Sequence, residues 1–270
     1  MTIYFSSQKG KRPTNEDGHT IKIFLNPDNN KNKYSKVNMY AIYDGHGGSY
    51  VSKYLQDNLH NYFVNKKLVY PLPRKYILAA YSKVQAELTR LNANKAKQCG
   101  STCACVLQFK DEQGRSAIQV LNTGDSRTCV CRDIKAIRLS DDHKPNNPKE
   151  LSRINNLGGK IMFDGSDYRI GNLSVSRAFG DNDTKPYVVE TPDIFKYLLQ
   201  NKDRFLIVAC DGLWDVMTDQ DVVNFILTRC FDKNGNRIKK NINIARKLID
   251  YAINTLKSTD NVSVIIVFFD

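Results

Sequence analysis

An apolar run over residues 37–43 ends in Tyr43-Asp44-Gly45-His46-Gly47-Gly48, where an acid and an imidazole stand among three glycines. A predicted strand that stops at a carboxylate and at backbone without side-chain bulk is suited to approach a small charged group. Because Asp-Gly is also a common turn dipeptide, this stretch alone is equally consistent with an ordinary turn. The same order recurs after the apolar run of residues 205–209, which is followed by Cys210-Asp211-Gly212. Two strands that end alike call for a common explanation.

The chain has 270 residues, of which 41% are apolar, and this is enough for a substantial core. It contains no long Pro/Gly/Ser linker and no internal repeat, so we predict one domain over residues 1–270. No apolar run approaches the roughly 20 residues of a membrane helix. The N-terminus lacks a signal pattern, and Thr2 excludes the usual myristoylation site. We expect a soluble, monomeric, cytoplasmic or otherwise intracellular protein.

The seven cysteines are odd in number and form no Cys-x-x-Cys pair of the kind that binds zinc. Cys103 and Cys105 are two residues apart, as are Cys129 and Cys131, so each pair lies on one face of a predicted strand. Buried reduced thiols are therefore favoured over disulfides.

The net charge of +12 and the pI near 9.3 raise the alternative of a nucleic-acid-binding surface. Basic residues cluster within segments 9–12, 31–36 and 237–240. Most of the excess is scattered lysine that accompanies abundant asparagine, and an A/T-biased genome is a sufficient cause of both. Nucleic-acid binding stays open only as a secondary property.

Hydrophobic periodicity predicts strands and helices in separate runs. The predicted strands are residues 2–7, 18–25, 37–43, 101–110, 117–122, 128–132, 135–139, 205–209 and 262–269, and the predicted helices are residues 51–63, 73–91, 148–157, 218–227 and 244–256. Consecutive strands with short connections are expected to pair antiparallel. The last strand is apolar on both faces and is predicted to be central. The pattern favours an α+β fold of two antiparallel sheets faced with helices.

Seven acids lie at predicted strand ends or in turns that contain glycine. They are Glu16, Asp17, Asp44, Asp125, Asp211, Asp215 and Asp260. Singly, each could cap its own turn. If they converge, carboxylates about 4 Å apart repel by roughly 4 kcal/mol per pair at an effective dielectric of 20, so the cluster needs cations. Oxygen ligands of this kind select Mg²⁺ or Mn²⁺ rather than zinc.

Seven short blocks in sequence order resemble the signature of the protein phosphatase 2C-like (PPM) family of metal-dependent serine/threonine phosphatases. The blocks are Arg12 with Glu16-Asp17, residues 43–48, Gly100-Ser101-Thr102, Gly124-Asp125-Ser126-Arg127, residues 173–181, residues 209–215, and Asp260-Asn261. Any one block is weak evidence, but together they span nearly the whole chain.

The resemblance implies a four-layer αββα sandwich of two antiparallel sheets flanked by helix pairs. It also implies two Mn²⁺ or Mg²⁺ ions bridged by Asp44 and a water that attacks phosphorus in line. The first ion would bind Asp211 and Asp260 with Asp44, and the second would bind Glu16 and the Gly45 carbonyl with Asp44. Asp125 and Asp215, with Asp211, match positions that hold a weaker third ion in some members, and Asp17 would act through a water.

By the same resemblance, the substrates are phosphoserine and phosphothreonine in proteins. Arg12 would bind the phosphate, since a guanidinium fork fits two of its oxygens. His46 would protonate the leaving alkoxide because imidazole titrates near neutrality. His143 is expected to be structural, and Arg177 with Asp181 a structural pair. A flap region within about 141–193 lies beside the metal site, and its residues 163–173 are expected to influence substrate choice.

Two other classes of protein, a cysteine phosphatase and a pseudophosphatase, fit these motifs less well. A cysteine phosphatase is excluded because no cysteine is followed six residues later by arginine. A pseudophosphatase that keeps the fold as a binding module usually lacks metal acids, and here each expected acid is present. One departure from the family pattern is Val262-Ser263, which follows Asp260-Asn261 where the family commonly has threonine.

Overall fold

The computed structural model describes residues 1–24, 36–63, 68–238 and 242–269. Predictions made on Leu25, Lys31, Lys33, Lys239 and Lys240 lie outside these residues. The strands of the described part are β1 (Thr2–Gln8), β2 (Gly18–Lys22), β3 (Val37–Tyr43), β4 (Gly45–His46), β5 (Gly100–Ser101), β6 (Cys103–Lys110), β7 (Ser116–Thr123), β8 (Arg127–Arg132), β9 (Lys135–Arg138), β10 (Met162–Phe163), β11 (Tyr168–Arg169), β12 (Phe179–Gly180), β13 (Asp193–Leu198), β14 (Asp203–Ala209) and β15 (Val262–Phe268). The helices are α1 (Tyr50–Asn58), α2 (Arg74–Leu91), α3 (Ala93–Gln98), α4 (Pro148–Asn156), α5 (Asp211–Trp214), α6 (Asp219–Cys230) and α7 (Ile244–Asn254), with 3₁₀ turns at Leu59–Phe63 and Asn182–Thr184.

Two five-stranded antiparallel sheets form the centre of the molecule. The first sheet has the strand order β1-β15-β14-β8-β9, and the second has the order β13-β7-β6-β3-β2. All seven residues of β15 are buried, and this strand lies between β1 and β14. The prediction that the last strand is central is confirmed.

Alternation along the strands explains how the layers assemble. In β3, Tyr40 and Ile42 pack into the core between the two sheets, whereas Met39 and Ala41 face the core beneath α1 and α2. On the first sheet, α6 and α7 cover the other outer face. The four-layer αββα architecture predicted from the sequence is therefore confirmed.

The connection between β7 and β8 corrects one expectation. We expected consecutive strands in this region to pair with each other, but β7 pairs with β6 and β13 while β8 pairs with β14 and β9. Residues 124–126 carry the chain from one sheet to the other. Gly124 has φ +96°, and a Cβ there would lie 2.5 Å from Cγ2 of Thr102. The crossover thus requires glycine, and it sets Asp125 between the sheets.

Other predictions were correct in kind and differ mainly in extent. The helix predicted from residue 51 ends at Asn58 and continues as a 3₁₀ turn. The elements α3, α5 and β13 and the two-residue strands β4, β10, β11 and β12 were not predicted. The helix predicted from residue 218 is confirmed as α6, and a capping box formed by Thr218 and Asp221 fixes its start.

The cysteines behave as predicted. All seven are buried free thiols. Cys103 and Cys105 pack together beneath α1 and α2, and Cys129 and Cys131 pack beneath α6 and α7. Among the residues that the structure describes, no helix is both long and apolar enough to cross a membrane.

Candidate active site and metal centre

The predicted site residues meet at one end of the sandwich, where several strands of both sheets start or stop. Asp44 follows β3, Asp211 begins α5 after β14, and Asp260 precedes β15. A cavity of about 370 Å³ opens at this end. Its lining includes Arg12, Glu16, Asp44, Gly45, His46, Asp125, Asp211, Asp215 and Asp260. The structure therefore brings together every predicted catalytic and metal-binding residue except Asp17, which lies beneath the cavity floor.

The carboxyl groups of Asp44 and Asp211 lie in the same cavity. Burial, followed by repulsion from Asp211 and then Asp17, raises the pKa of Asp44 well above its ordinary value. Burial and the nearby Asp125 raise the pKa of Asp211 to about 8. Two partly buried acids with raised pKa values ionise together most readily beside a counter-charge, so they fit a divalent cation between them.

Asp17 supports the floor of the site. Its Oδ2 accepts a 2.5 Å hydrogen bond from the Ser263 hydroxyl, and its buried Oδ1 has no hydrogen-bond partner among the described residues. Burial raises the pKa of Asp17 to about 6, although the hydrogen bond from Ser263 opposes this shift. An unsatisfied buried oxygen suits the water-mediated contact to a metal that the family resemblance implies for Asp17. Ser263 thus keeps, in place of threonine, a side-chain hydroxyl that orients this acid.

The thiol of Cys210 lies beside the acids of the site. Ligand atoms of Cys210, Asp17 and Asp44 lie within 4.8 Å of one another, a grouping that could hold a metal ion. Burial raises the pKa of the Cys210 thiol well above its ordinary value. Its Sγ accepts a hydrogen bond from the Ser263 amide at 3.1 Å and donates one to the Asn261 carbonyl at 3.4 Å. A neutral thiol is a poor ligand, so the carboxylate oxygens are the atoms of this group that suit a metal ion.

Glu16 and Gly45 meet at the second predicted metal position. Oε2 of Glu16 accepts a 2.9 Å hydrogen bond from the amide of Gly48, which fixes the carboxylate near the glycine turn. A Cβ at Gly45 would lie 2.3 Å from the Glu16 carbonyl and 2.7 Å from Oγ of Ser52. Only glycine lets the two backbones approach this closely.

Arg12 lies at the mouth of the cavity. Its Nη2 donates a 2.8 Å hydrogen bond to Oδ2 of Asp260, and its side chain is 59% exposed. An exposed pair of this kind contributes little to stability, so its guanidinium can exchange this partner for a phosphate at small cost. The predicted role in phosphate binding is consistent with this position.

His46 pairs with Asp181, the residue that was expected to pair with Arg177. Its Nε2 lies 2.8 Å from Oδ2 of Asp181. Burial alone would lower the pKa of His46, but the hydrogen bond and charge of Asp181 raise it above its ordinary value. The imidazolium form is thereby favoured, as a proton donor requires.

The expected pairing of Arg177 with Asp181 is wrong. Arg177 donates to Oε1 of Glu150 at 2.6 Å and to Oδ1 of Asp193 at 2.9 Å. Glu150 also accepts a 2.7 Å hydrogen bond from Arg153. Arg177 therefore holds the base of the flap region to α4 and β13. Because Asp181 follows a glycine with positive φ and is itself left-handed at φ 50°, its side chain turns toward His46 instead.

Lys144 is the functional candidate that sequence reasoning missed. Its Nζ contacts Oδ2 of Asp125, and both side chains line the cavity. Burial would lower the pKa of Lys144, but Asp125 and the nearby Asp211 and Asp215 raise it above its ordinary range. The only signal was its place in Asp142-His143-Lys144-Pro145, a block in which only His143 was given a role.

The neighbouring His143 has the structural role that was expected. Its Nδ1 accepts a hydrogen bond from the Gly124 amide at 3.1 Å, and its Nε2 lies 3.3 Å from Asp193. The ring thus braces the crossover between the sheets.

The flap region contributes residues to the same cavity. Asp167, Arg169 and residues 172–175 line one side of it. Beyond them, β10 and β11 form a short hairpin whose Met162 and Phe163 are exposed. The predicted nearness of the flap to the site is therefore observed, while its influence on substrate choice stays a prediction.

The donor set as a whole fits divalent cations. The converging groups are carboxylates and a backbone carbonyl, hard oxygen ligands of the type that Mg²⁺ and Mn²⁺ prefer. The raised pKa of Asp44, the raised pKa of Asp211 and the unsatisfied Oδ1 of Asp17 are each relieved by a nearby cation.

Comparison with known proteins identifies the family. The model of the family described as Protein phosphatase 2C matches residues 2–262. A PP2C-like domain-containing protein, R307, from Acanthamoeba polyphaga mimivirus is 47% identical over 176 residues, which cover 59% of this chain and 98% of that protein. Probable protein phosphatase 2C 45 from Oryza sativa subsp. japonica is 33% identical over 266 residues, with 98% of this chain and 86% of that protein covered.

Solved structures agree with this result. A phosphatase from a pathogenic strain of Toxoplasma gondii superposes with a TM-score of 0.80 at 25% identity, covering 98% of this chain and 91% of that one. Fold, site and relatives together define a protein serine/threonine phosphatase, as the sequence predicted. The chain belongs to the protein phosphatase 2C family, which is metal-dependent.

Proposed function

We propose that this chain hydrolyses phosphoserine and phosphothreonine in proteins with the help of two Mn²⁺ or Mg²⁺ ions, acting as a single catalytic domain over residues 1–270. The observation that carries the proposal is the partly buried pair of Asp44 and Asp211, which lies in one cavity with an exposed arginine and a histidine. Acids whose pKa is raised by burial and by neighbouring carboxylates, as here, are frequent at functional sites. The monomeric state and the intracellular location stay predictions.

Residues from both sheets would hold the ions. Asp44 would serve both, Asp211 and Asp260 the first, and Glu16 with the Gly45 carbonyl the second. Asp17 would contribute through a water at its unsatisfied Oδ1. When bound, the ions supply an activated water and neutralise the charge that develops on the phosphoryl oxygens.

Arg12 would bind the phosphate. To do so its guanidinium exchanges Asp260 for two phosphoryl oxygens, which a planar fork can contact together. The carboxylate of Asp260 would then be free to bind a metal ion. Phosphate binding by Arg12 and metal binding by Asp260 thereby support each other.

His46 would give a proton to the leaving serine or threonine oxygen. Asp181 occupies Nε2, so the proton would come from Nδ1 of the imidazolium. The carboxylate of Asp181 keeps the ring charged and fixes its orientation.

The test is release of phosphate from a phosphothreonine peptide by the purified chain. We expect activity with Mn²⁺ or Mg²⁺, none after EDTA, and no loss on thiol alkylation because all seven cysteines are buried. Asp44→Asn should lose activity while keeping its circular dichroism spectrum, and the exposed Asp57→Asn serves as the matched control. Turnover that a chelator leaves unchanged would overturn the metal-dependent mechanism.

The binding-module alternative gives the opposite result. A pseudophosphatase would fold and bind peptide without turnover at any metal concentration. The presence of six of the seven predicted acids in one cavity, with Asp17 close to Asp44, favours the enzyme.

A further inference from the structure

Lys144 places a positive charge among the acids at one side of the cavity. Its ammonium contacts Asp125, whose side chain is only 2% exposed, while the Lys144 side chain is 29% exposed. Asp211 and Asp215 line the same cavity. These three acids are the ones expected to hold a weaker third metal, so a lysine already occupies part of that position.

The backbone around Lys144 is fixed to the crossover that carries Asp125. The His143 amide donates to the Gly124 carbonyl at 3.1 Å, and the Gly124 amide donates to Nδ1 of His143 at 3.1 Å. On the flap side, the Ser176 amide donates to the His143 carbonyl at 2.8 Å. Lys144 can therefore leave Asp125 by rotation of its own side chain toward the open side of the cavity, with its backbone retained.

We propose that the Lys144 ammonium is a built-in cation that competes with a third divalent ion for Asp125. This inference rests on the proposed two-metal function. A compact ammonium and a divalent cation cannot share one carboxylate oxygen without strong repulsion, so the ion binds only when the lysine has left. The chain thus holds two ions tightly and the third weakly, with Asp125 neutralised in the absence of that third ion.

Direct measurement of Mn²⁺ binding tests the proposal without reference to turnover. Isothermal titration and the electron paramagnetic resonance signal of free Mn²⁺ would count the sites and their affinities. We expect the affinity of the third site to rise by about tenfold or more in Lys144→Met and to stay at the wild-type level in Lys144→Arg, which keeps the charge. Lys185→Met is the matched control, because Lys185 is 26% exposed and pairs with Glu190 at 2.8 Å.

A double variant shows which acid is involved. Adding Asp125→Asn to Lys144→Met should cancel the gain, since the liberated carboxylate is then absent. Because Lys144→Met leaves a buried carboxylate unpaired, its melting temperature should also depend more steeply on Mn²⁺ than that of the wild type. If Lys144→Met does not fold, Lys144→Gln replaces it in both measurements.

The contrary outcomes are distinct. A third-site affinity that is equal in the wild type and Lys144→Met, or a gain that survives Asp125→Asn, overturns the role of Lys144 while leaving the two-metal enzyme in place. A wild-type chain that binds no Mn²⁺ overturns both this inference and the proposed function.

Discussion

Both carboxylate oxygens of Asp181 face the same nitrogen of His46, at 3.0 and 2.8 Å from Nε2. The two residues are 135 positions apart in the chain. They meet because β12, which ends just before Asp181, pairs with β5, and β5 pairs with β4, which carries His46. A three-stranded sheet of two-residue strands thus orients the predicted proton donor.

Replacing Asp181 by asparagine should weaken this donor. The change removes the carboxylate that raises the pKa of His46, so the pKa falls and the basic limb of the kcat–pH profile moves to lower pH. We expect kcat near neutrality to drop by about tenfold or more. Asparagine tolerates the left-handed backbone at this position, and the exposed Asp183→Asn should leave the profile unchanged. An unshifted profile in Asp181→Asn would separate His46 from proton transfer.

Gly100→Ala should displace His46 and Asp181, because the added methyl group needs the space that their side chains occupy. A Cβ at Gly100 would lie 2.0 Å from Oδ2 of Asp181 and 2.3 Å from Nε2 of His46. Since its backbone φ lies outside the left-handed region, alanine adds no backbone strain and acts by displacing the two side chains. We expect kcat to fall while the fold is retained.

Gly114→Ala is the contrasting control for that experiment. It has φ +76° with open space around it, so it should cost about 1 kcal/mol of unfolding free energy and leave kcat intact. Equal kcat values for the two variants would argue against a role for the His46–Asp181 pair.

The stability of the chain without metal should fall as the pH rises. Folding raises the pKa of Asp17 to about 6 and that of Asp211 to about 8. A raised carboxyl pKa gives stability that is present below about pH 4 and is lost as the pH passes through the folded value. In EDTA, the melting temperature measured by circular dichroism should therefore decrease from pH 5 to pH 8.5.

Metal should reverse that loss. Mn²⁺ at about 100 times its Kd should add about 2.7 kcal/mol at pH 8. Asp211→Asn should be more stable than the wild type in EDTA and respond less to Mn²⁺. A wild-type melting temperature that is independent of both pH and Mn²⁺ over this range would contradict the acid cluster as a metal centre.

Glu150 should control stability in acid. Although burial alone would raise the pKa of Glu150, its hydrogen bonds with Arg177 and Arg153 lower it to about 2. The sign is the reverse of that for Asp211, because this stability is present above about pH 4.5 and is lost as the pH falls through about 2. Glu150→Gln should cost about 1.5–3 kcal/mol at pH 7, because it removes the buried carboxylate that both Arg177 and Arg153 contact.

Urea unfolding at pH 7 and near pH 2 checks this expectation. The difference between wild type and Glu150→Gln should shrink in acid, and the exposed Glu112→Gln should behave as wild type at both pH values. A constant difference would show that the charge of Glu150 is not what stabilises the base of the flap region.

The sequence could predict features that depend on local pattern. Continuous apolar runs predicted β3 and β15, which are buried on both faces, and period-3.6 repeats predicted α2 and α7, each of which buries one stripe. The convergence of the acids could also be predicted, because each of them lies at the end of a predicted strand or in a turn beside one. The ligand roles within the converged cluster stay predictions, because position alone does not show which oxygens bind an ion.

Features that depend on distant partners could not be predicted in this way. Lys144 is one of 40 basic residues, and nothing in its neighbours shows that it reaches Asp125 across the crossover. The edge strand β13 is only partly buried, so its apolar alternation is weak. The short link at residues 124–126 resembles a hairpin turn, and only the pairing of β8 with β14 shows that it changes sheets.

The division of the acids between the two sheets has a mechanical consequence. Asp44 extends from a strand of one sheet, whereas Asp211 and Asp260 flank neighbouring strands of the other. Ions held by all three would act as a clamp that resists sliding of one sheet over the other. Once the ions are bound, amide hydrogens at the adjoining ends of β3 and β15 would exchange with deuterium more slowly, and at similar rates.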